Sequence, residues 1–280
     1  MEESLIKGIR TFLESKNQDM RPEIKKILVK EYLHSYVLDF IYNSEKYSKA
    51  NFYGGTCLKY LFGLDRFSED LDFDSSNIPS IKDFDSDFIK YFKEKTGYKD
   101  IEIKKQESEW GIVRFTIKLP ILFKLGLSPR EEEKLFVKVE FSTHKQHINT
   151  YTTPLLFYGK SFVVKHFDLP SMFAGKIIAC LERDFQKGSE DVFIKGRDFY
   201  DLVWFMQKKI TPNEEKLEKD GIKSYTIKSA FEDLSIKISN LRDKDILIDL
   251  RNLVENETYV VKWTENFKDY YVKLLENYKQ

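Results

Sequence analysis

The sequence predicts an α+β fold followed by a helical C-terminal portion. Two observations carry this. Every strand-like segment lies before Asp168, and from Leu169 onward apolar residues recur at helical spacing. We place the boundary there, giving domains over 1–168 and 169–280. The chain has 280 residues, 41% hydrophobic and 33% charged, enough for one large core or two smaller ones.

Residues 5–15 read as a first helix. Pro22 opens a second, carrying Ile24, Ile27, Leu28, Glu31, Tyr32, Phe40 and Ile41 at helical spacing, with Lys25, Lys26 and Lys30 as a solvated face. A short strand over 50–53 runs into a glycine turn, a helix over 57–62 and a strand over 70–73. Residues 74–79 form a loop, and 81–96 an amphipathic helix stopped by Gly97. Segments 101–103 and 112–117 alternate as antiparallel strands. After a polar connection over 128–133 come strands at 135–141 and 162–164. Helices are then expected at 170–183, 197–207 and 222–241, with two more to the end, and a polar loop over 186–191. No internal repeat or low-complexity tract is present.

The most informative stretch is Tyr53-Gly54-Gly55-Thr56, followed by Arg66-Phe67-Ser68-Glu69-Asp70-Leu71-Asp72-Phe73. Gly54 and Gly55 let main-chain N–H groups approach a ligand closely. Thr56 is placed to cap the helix 57–62, so that phosphate oxygens would meet a helix N-terminus. Asp70 and Asp72 alternate with Leu71 and Phe73, which sets both acids on one strand face. Taken singly, a Gly-Gly-Thr is an ordinary turn and Asp-x-Asp an ordinary strand edge. Joined in strand–turn–helix–strand order, they suit magnesium and a nucleoside triphosphate, and point to nucleotidyl transfer.

The same residues resemble a family. Gly54-Gly55-Thr56 through Ser68-Glu69-Asp70-Leu71-Asp72 is similar to the first signature of the AbiEii/AbiGii-type nucleotidyltransferase toxins, a branch of the DNA polymerase β-like superfamily. Lys138-Val139-Glu140-Phe141 resembles the second signature. Leu169-Pro170-Ser171-Met172-Phe173-Ala174-Gly175-Lys176, running on to Arg183, resembles the third, and Gly196-Arg197-Asp198-Phe199-Tyr200-Asp201-Leu202 the fourth. The resemblance implies a nucleotidyltransferase-type mixed sheet flanked by helices, with the helical domain contributing residues to the active centre. It implies catalytic Asp70, Asp72, Glu140, Lys176 and Asp198, of which Asp70, Asp72 and Glu140 hold Mg2+, with Mn2+ as the alternative. Gly54, Gly55, Thr56, Ser68, Lys176 and Arg197 would bind the nucleoside triphosphate. The implied protein is a bacterial toxin with a cognate antitoxin, adding nucleotides to RNA, above all to tRNA 3′ ends.

Each residue also has a plainer role. Lys138 and Glu140 share a strand face and would be an exposed pair on a sheet edge. Asp74 continues the Asp70/Asp72 face, but its place at the strand end favours solvent. Lys176 would snorkel from an apolar helix, and Arg183 would serve a helix C-terminus. Asp198 and Asp201 would complement a helix N-terminus. Cys57 and Cys180 are too few for a disulfide framework and fit a reducing cytosol, Cys57 as a small buried helix residue.

The composition narrows the classes further. Net charge is zero, with 46 basic and 46 acidic residues, which argues against binding nucleic acid over a large surface. The 15% aromatic residues are spread along the chain as core. No run approaches the roughly 20 apolar residues of a membrane helix, and the N-terminus has no apolar signal core, so a cytoplasmic protein is expected. His144 and His147 lack nearby cysteines for a zinc site, and Gly159-Lys160-Ser161 lacks the preceding glycine of a phosphate loop. Protein AMPylation keeps the same chemistry with another acceptor. A metal-dependent nuclease and a non-catalytic binding module are the alternatives of other classes.

Overall fold

A computed structural model describes residues 2–17, 19–108, 111–142, 147–183 and 194–278. The chain divides into two units: residues 1–63, 67–145 and 151–166, and residues 64–66, 146–150 and 167–280.

The first unit opens with α1 (Glu2–Glu14) and α2 (Pro22–Tyr42), which Pro22 starts as expected. Seven strands follow in one mixed sheet of order β3-β4-β5-β2-β1-β7-β6. They are β1 (Asn51–Tyr53), β2 (Asp70–Asp74), β3 (Glu102–Glu107), β4 (Val113–Leu119), β5 (Leu135–Ser142), β6 (Thr150–Phe157) and β7 (Lys160–Phe167). Between them lie α3 (Gly54–Phe62) and α4 (Phe84–Thr96). β2 pairs antiparallel with β1 and parallel with β5, so it is interior to the sheet.

One sheet face is apolar. Phe52, Phe73 and Phe141 are opposite one another across β1, β2 and β5, with ring centroids 5.1 and 5.4 Å apart. Phe84 from α4 covers this row, 5.0 Å from Phe141 and 4.8 Å from Phe115, and Phe40 of α2 packs on Phe84 at 5.6 Å. Much of the high aromatic content is therefore core, where each ring buries a large apolar area and neighbouring rings meet edge-on or offset.

Several expectations needed correction. α3 starts at Gly54, directly from β1, with Tyr53 as its N-cap residue; Thr56 sits inside the first turn and caps nothing. Asp74 is 2% exposed and accepts from Asn51 Nδ2 at 2.9 Å, because the strand continues through it rather than ending in solvent. Lys138 and Glu140 lie on an interior strand, not an edge. β6 carries Pro154 and mostly exposed side chains, so no alternation announces it; at the sheet edge a missing N–H is tolerated. α4 begins only at Phe84, since residues 82 and 83 form a turn.

The second unit is helical: α5 (Leu169–Glu182), α6 (Gly196–Gln207), α7 (Glu214–Asp220), α8 (Ile227–Ser239), α9 (Asp243–Leu250) and α10 (Glu257–Leu275), ending in a 3-10 turn (Glu276–Tyr278). The short α7 was not anticipated, and α8 is shorter than the helix expected over 222–241 because Thr226 caps it. The loop expected over 186–191 lies outside the described residues. Phe173 of α5 stacks on Phe205 of α6 at 4.8 Å, and Phe231 of α8 on Tyr278 at 4.7 Å. α6 also meets α9 closely at Gly196, where a Cβ would come within 2.4 Å of the Ile246 carbonyl oxygen.

The segment 64–66 is held in this unit by charge. Arg66, 2% exposed, gives Nε and Nη2 to the two carboxylate oxygens of fully buried Asp201 at 2.6 and 2.7 Å. Asp65 accepts from the Tyr200 hydroxyl at 2.8 Å.

Two stability predictions follow from this packing. Gly54 has φ +80, and a Cβ there would meet Asp72 Oδ2 at 2.4 Å. Gly54→Ala should therefore cost about 1–3 kcal/mol in chemical denaturation. Asp201→Ala should cost about 3–5 kcal/mol, since it strands the Arg66 charge. Burial alone would raise the Asp201 carboxyl, but Arg66 and Lys176 hold it below its ordinary range. A depressed carboxylate stabilises the fold above its unfolded pKa of about 3.9 and loses that contribution as pH falls through the folded value. The variant should show a flatter acid limb than the parent when unfolding is followed from pH 6 downward.

Candidate active site

The polar face of the sheet gathers the first set of expected residues. Strand pairing puts Tyr53, Asp72, Glu140 and Arg114 side by side across β1, β2, β5 and β4, and Asp70 beside Lys138 in the next row. Asp70, Asp72 and Glu140 thus share a face, as alternation requires. They do not converge on one point: among the described residues no three His, Cys, Asp or Glu side chains form a group able to hold a metal ion. Glu140 Oε1 is instead 2.6 Å from Arg114 Nε, and Asp70 Oδ1 is 3.9 Å from Lys138 Nζ. The donors are nonetheless the hard carboxylate oxygens that Mg2+ takes, on adjacent strands, with Asp70 and Glu140 side chains 31% and 21% exposed.

The glycine turn adds the second component. Because α3 begins at Gly54, the amides of Gly54, Gly55 and Thr56 are first-turn donors without helical partners. Gly54 crosses so close to Asp72 that only a residue lacking Cβ fits. The hydroxyls of Thr56 and Ser68 meet beside this turn. Fully buried Thr56 has Oγ1 2.8 Å from Ser68 Oγ and also bonds the Asp70 carbonyl. A hydroxyl has one proton, so Thr56 donates to Asp70 and accepts from Ser68. Both hydroxyls are engaged in holding the chain that leads into β2.

In the helical unit Lys176 does not snorkel. Its ammonium lies 2.7 Å from Asp198 and 2.9 Å from Asp201, with 14% of the side chain exposed. Arg183 gives Nη1 to Asp198 at 2.6 Å, rather than serving the end of α5. Burial alone would push the Asp198 carboxyl up and the Lys176 ammonium down. The ion pairs overcome it, leaving Asp198 well below and Lys176 above their ordinary ranges. Lys176 and Asp198, both implied by the resemblance, are paired with each other. Asp201 and Arg66, given no catalytic part by sequence, complete the cluster; Arg66 is 135 residues from its partner, and no local spacing marks it. Arg197 gives its backbone N–H to Asp249 at 3.0 Å.

Cys57 and Cys180 are buried and unpaired with each other. His147 bonds Asp220, and His144 lies outside the described residues. No helix among the described residues is long and apolar enough to cross a membrane.

Comparisons with known proteins give the fold and the family. JHP933 from Helicobacter pylori is 18% identical, with a TM-score of 0.54 over 90% of this chain and 93% of that one. A candidate nucleotidyltransferase from H. pylori is 17% identical, with a TM-score of 0.53 over 90% of this chain and 96% of that one. At this identity the likenesses speak for a shared fold. No curated protein matches the sequence. The family model described as nucleotidyl transferase AbiEii toxin, type IV TA system, matches residues 37–276. That match, spanning both units, sets aside the nuclease and binding-module readings. The chain belongs to the AbiEii family of nucleotidyl transferase toxins of type IV toxin–antitoxin systems, and is a nucleotidyltransferase.

Proposed function

We propose that the protein is a Mg2+-dependent enzyme that moves a nucleotide from a nucleoside triphosphate to an RNA acceptor, the 3′ end of tRNA. The observation that carries the chemistry is the pairing of Asp70 and Asp72 on one face of β2 with the glycine-opened start of α3. Membership of a toxin family supports the acceptor, since a modified tRNA end halts translation. Two free cysteines and these substrates support action in the cytoplasm.

The acceptor hydroxyl attacks the α-phosphorus, a new P–O bond forms, and the bond to the β-phosphate bridging oxygen breaks in line to release pyrophosphate. Mg2+ bound by Asp70, Asp72 and Glu140 would act as Lewis acid on the triphosphate and lower the pKa of the acceptor hydroxyl. Glu140 takes up the hydroxyl proton once Arg114 releases it. The first-turn amides of α3, at Gly54, Gly55 and Thr56, hold phosphate oxygens, and Ser68 supports that turn through Thr56. Lys176 offsets the charge of the departing pyrophosphate, with Asp198 orienting it and Arg197 adding positive charge nearby.

Incubation of the protein with total tRNA, MgCl2 and each α-labelled triphosphate tests the reading, beside an Asp70→Ala control. Label on RNA with the parent alone is expected and names the nucleotide. Label on protein would move the acceptor to AMPylation, and EDTA-resistant transfer would remove the metal. Asp72→Asn should lower transfer by at least about 10²-fold, the scale of losing one preorganised electrostatic contact, with its melting temperature without metal unchanged. A collapse of the metal-free fold would make Asp72 structural instead.

A further inference from the structure

His34 lies in the middle of α2 and is fully buried. Its two ring nitrogens are both committed. Nε2 lies 3.2 Å from the carbonyl oxygen of Glu69, and Nδ1 lies 2.7 Å from the hydroxyl of Tyr60 on α3. A carbonyl only accepts, so Nε2 carries the proton and Nδ1 accepts from Tyr60. Burial keeps the ring neutral, its pKa pushed down to about 3, which preserves that tautomer.

Glu69 is the residue before Asp70. Its carboxylate is paired with Lys30, one turn before His34 on α2. The next carbonyl, that of Asp70, accepts from Thr56, which is itself braced by Ser68. Two successive carbonyls, at 69 and 70, are therefore fixed by side chains from two different helices. Fixing both peptide planes around Asp70 sets the direction of its Cα–Cβ bond, and so the side of the strand on which its carboxylate lies. The carboxylate can then face the same side as Asp72 before any ligand arrives.

We propose that His34, oriented by Tyr60, is a positioning residue that aims the Asp70 carboxylate for metal binding. This rests on the reading of Asp70 as a metal-binding group. His34 touches no reacting atom; it acts through the Glu69 carbonyl, as the outer partners of metal ligands do.

The test compares full-length parent, His34→Leu, His34→Gln and Asp70→Ala. Mn2+ binding to protein without nucleotide is read by EPR of the free ion, alongside kcat, KM for the triphosphate and the melting temperature. His34→Leu should bind Mn2+ at least about tenfold more weakly and lose kcat by a similar factor, with KM for the triphosphate unchanged. His34→Gln keeps an N–H near the position of Nε2 and should recover most of both. Unchanged Mn2+ affinity and kcat in folded His34→Leu overturn the proposal. So does an equal loss in the Leu and Gln variants, which would make His34 a packing residue. If His34→Leu does not fold, Tyr60→Phe, which frees the ring to rotate, should show a smaller loss in the same direction, and no loss there overturns it. Full Mn2+ binding by Asp70→Ala would instead sink the assignment of Asp70. An expected Asp70→Ala loss with unaffected His34 variants would sink only the positioning role.

Discussion

A strand flanked by partners on both sides must show its side chains alternately to two faces, and β2 places that constraint at the centre of the first unit. Leu71 and Phe73 are completely buried on one side, while Asp70 and Asp72 stand on the other. A slip of one residue would drive carboxylates into the row of Phe52 and Phe141 and expose the rings, so the register is strongly specified. Everything about the polar face is inherited from it. Glu140 is opposite Asp72 because Phe141 is opposite Phe73, and Gly54 meets Asp72 because β1 ends one residue earlier. Aromatic packing thus fixes the geometry of the acids without touching them.

The helical unit adds a buried charge cluster to its ring packing. Arg66, Lys176 and Arg183 surround Asp198 and Asp201, three cations on two buried carboxylates. Burying such groups is costly, and well-packed apolar residues of the same volume would often hold helices together as well. What apolar residues do not provide is direction. The fork of Arg66 accepts only one orientation of Asp201, and Asp201 and Asp198 then leave Lys176 a single place. The surplus of positive charge suits an anion, which agrees with the role proposed for Lys176.

How much of this was legible depended on whether the determinant was local. The Asp70–Phe73 alternation, the glycine pair and the helical spacing from Leu169 are patterns within a few residues, and each gave an element close to its observed bounds. β6 was hidden because its pattern belongs to an edge strand with a proline, and α7 because seven residues are too few for a period to show. Asp74 was misjudged because its partner, Asn51, comes from another strand. Thr56 has the right chemistry for a cap, but the helix reaches back to Gly54, and only its tertiary bonds to Ser68 and Asp70 reveal its use. Lys176 and Asp198 were named through family resemblance, and the pairing that explains them involves an arginine far away in sequence.

Three acids on one sheet face repel one another, and an arrangement of that kind needs compensation within the protein itself. The sheet supplies it through register. β4 sets Arg114 opposite Glu140, and β5 sets Lys138 opposite Asp70, so each outer acid has a cation in the neighbouring strand. These are partly exposed contacts, with Arg114 44% and Lys138 46% exposed, and exposed pairs are weak. Weakness is what the chemistry requires. A counter-ion held in solvent at the end of a flexible side chain quiets the repulsion and yields to a divalent cation at small cost, whereas a buried partner such as Arg66 would not. The same residue types serve opposite ends in the two units, and the degree of burial decides which.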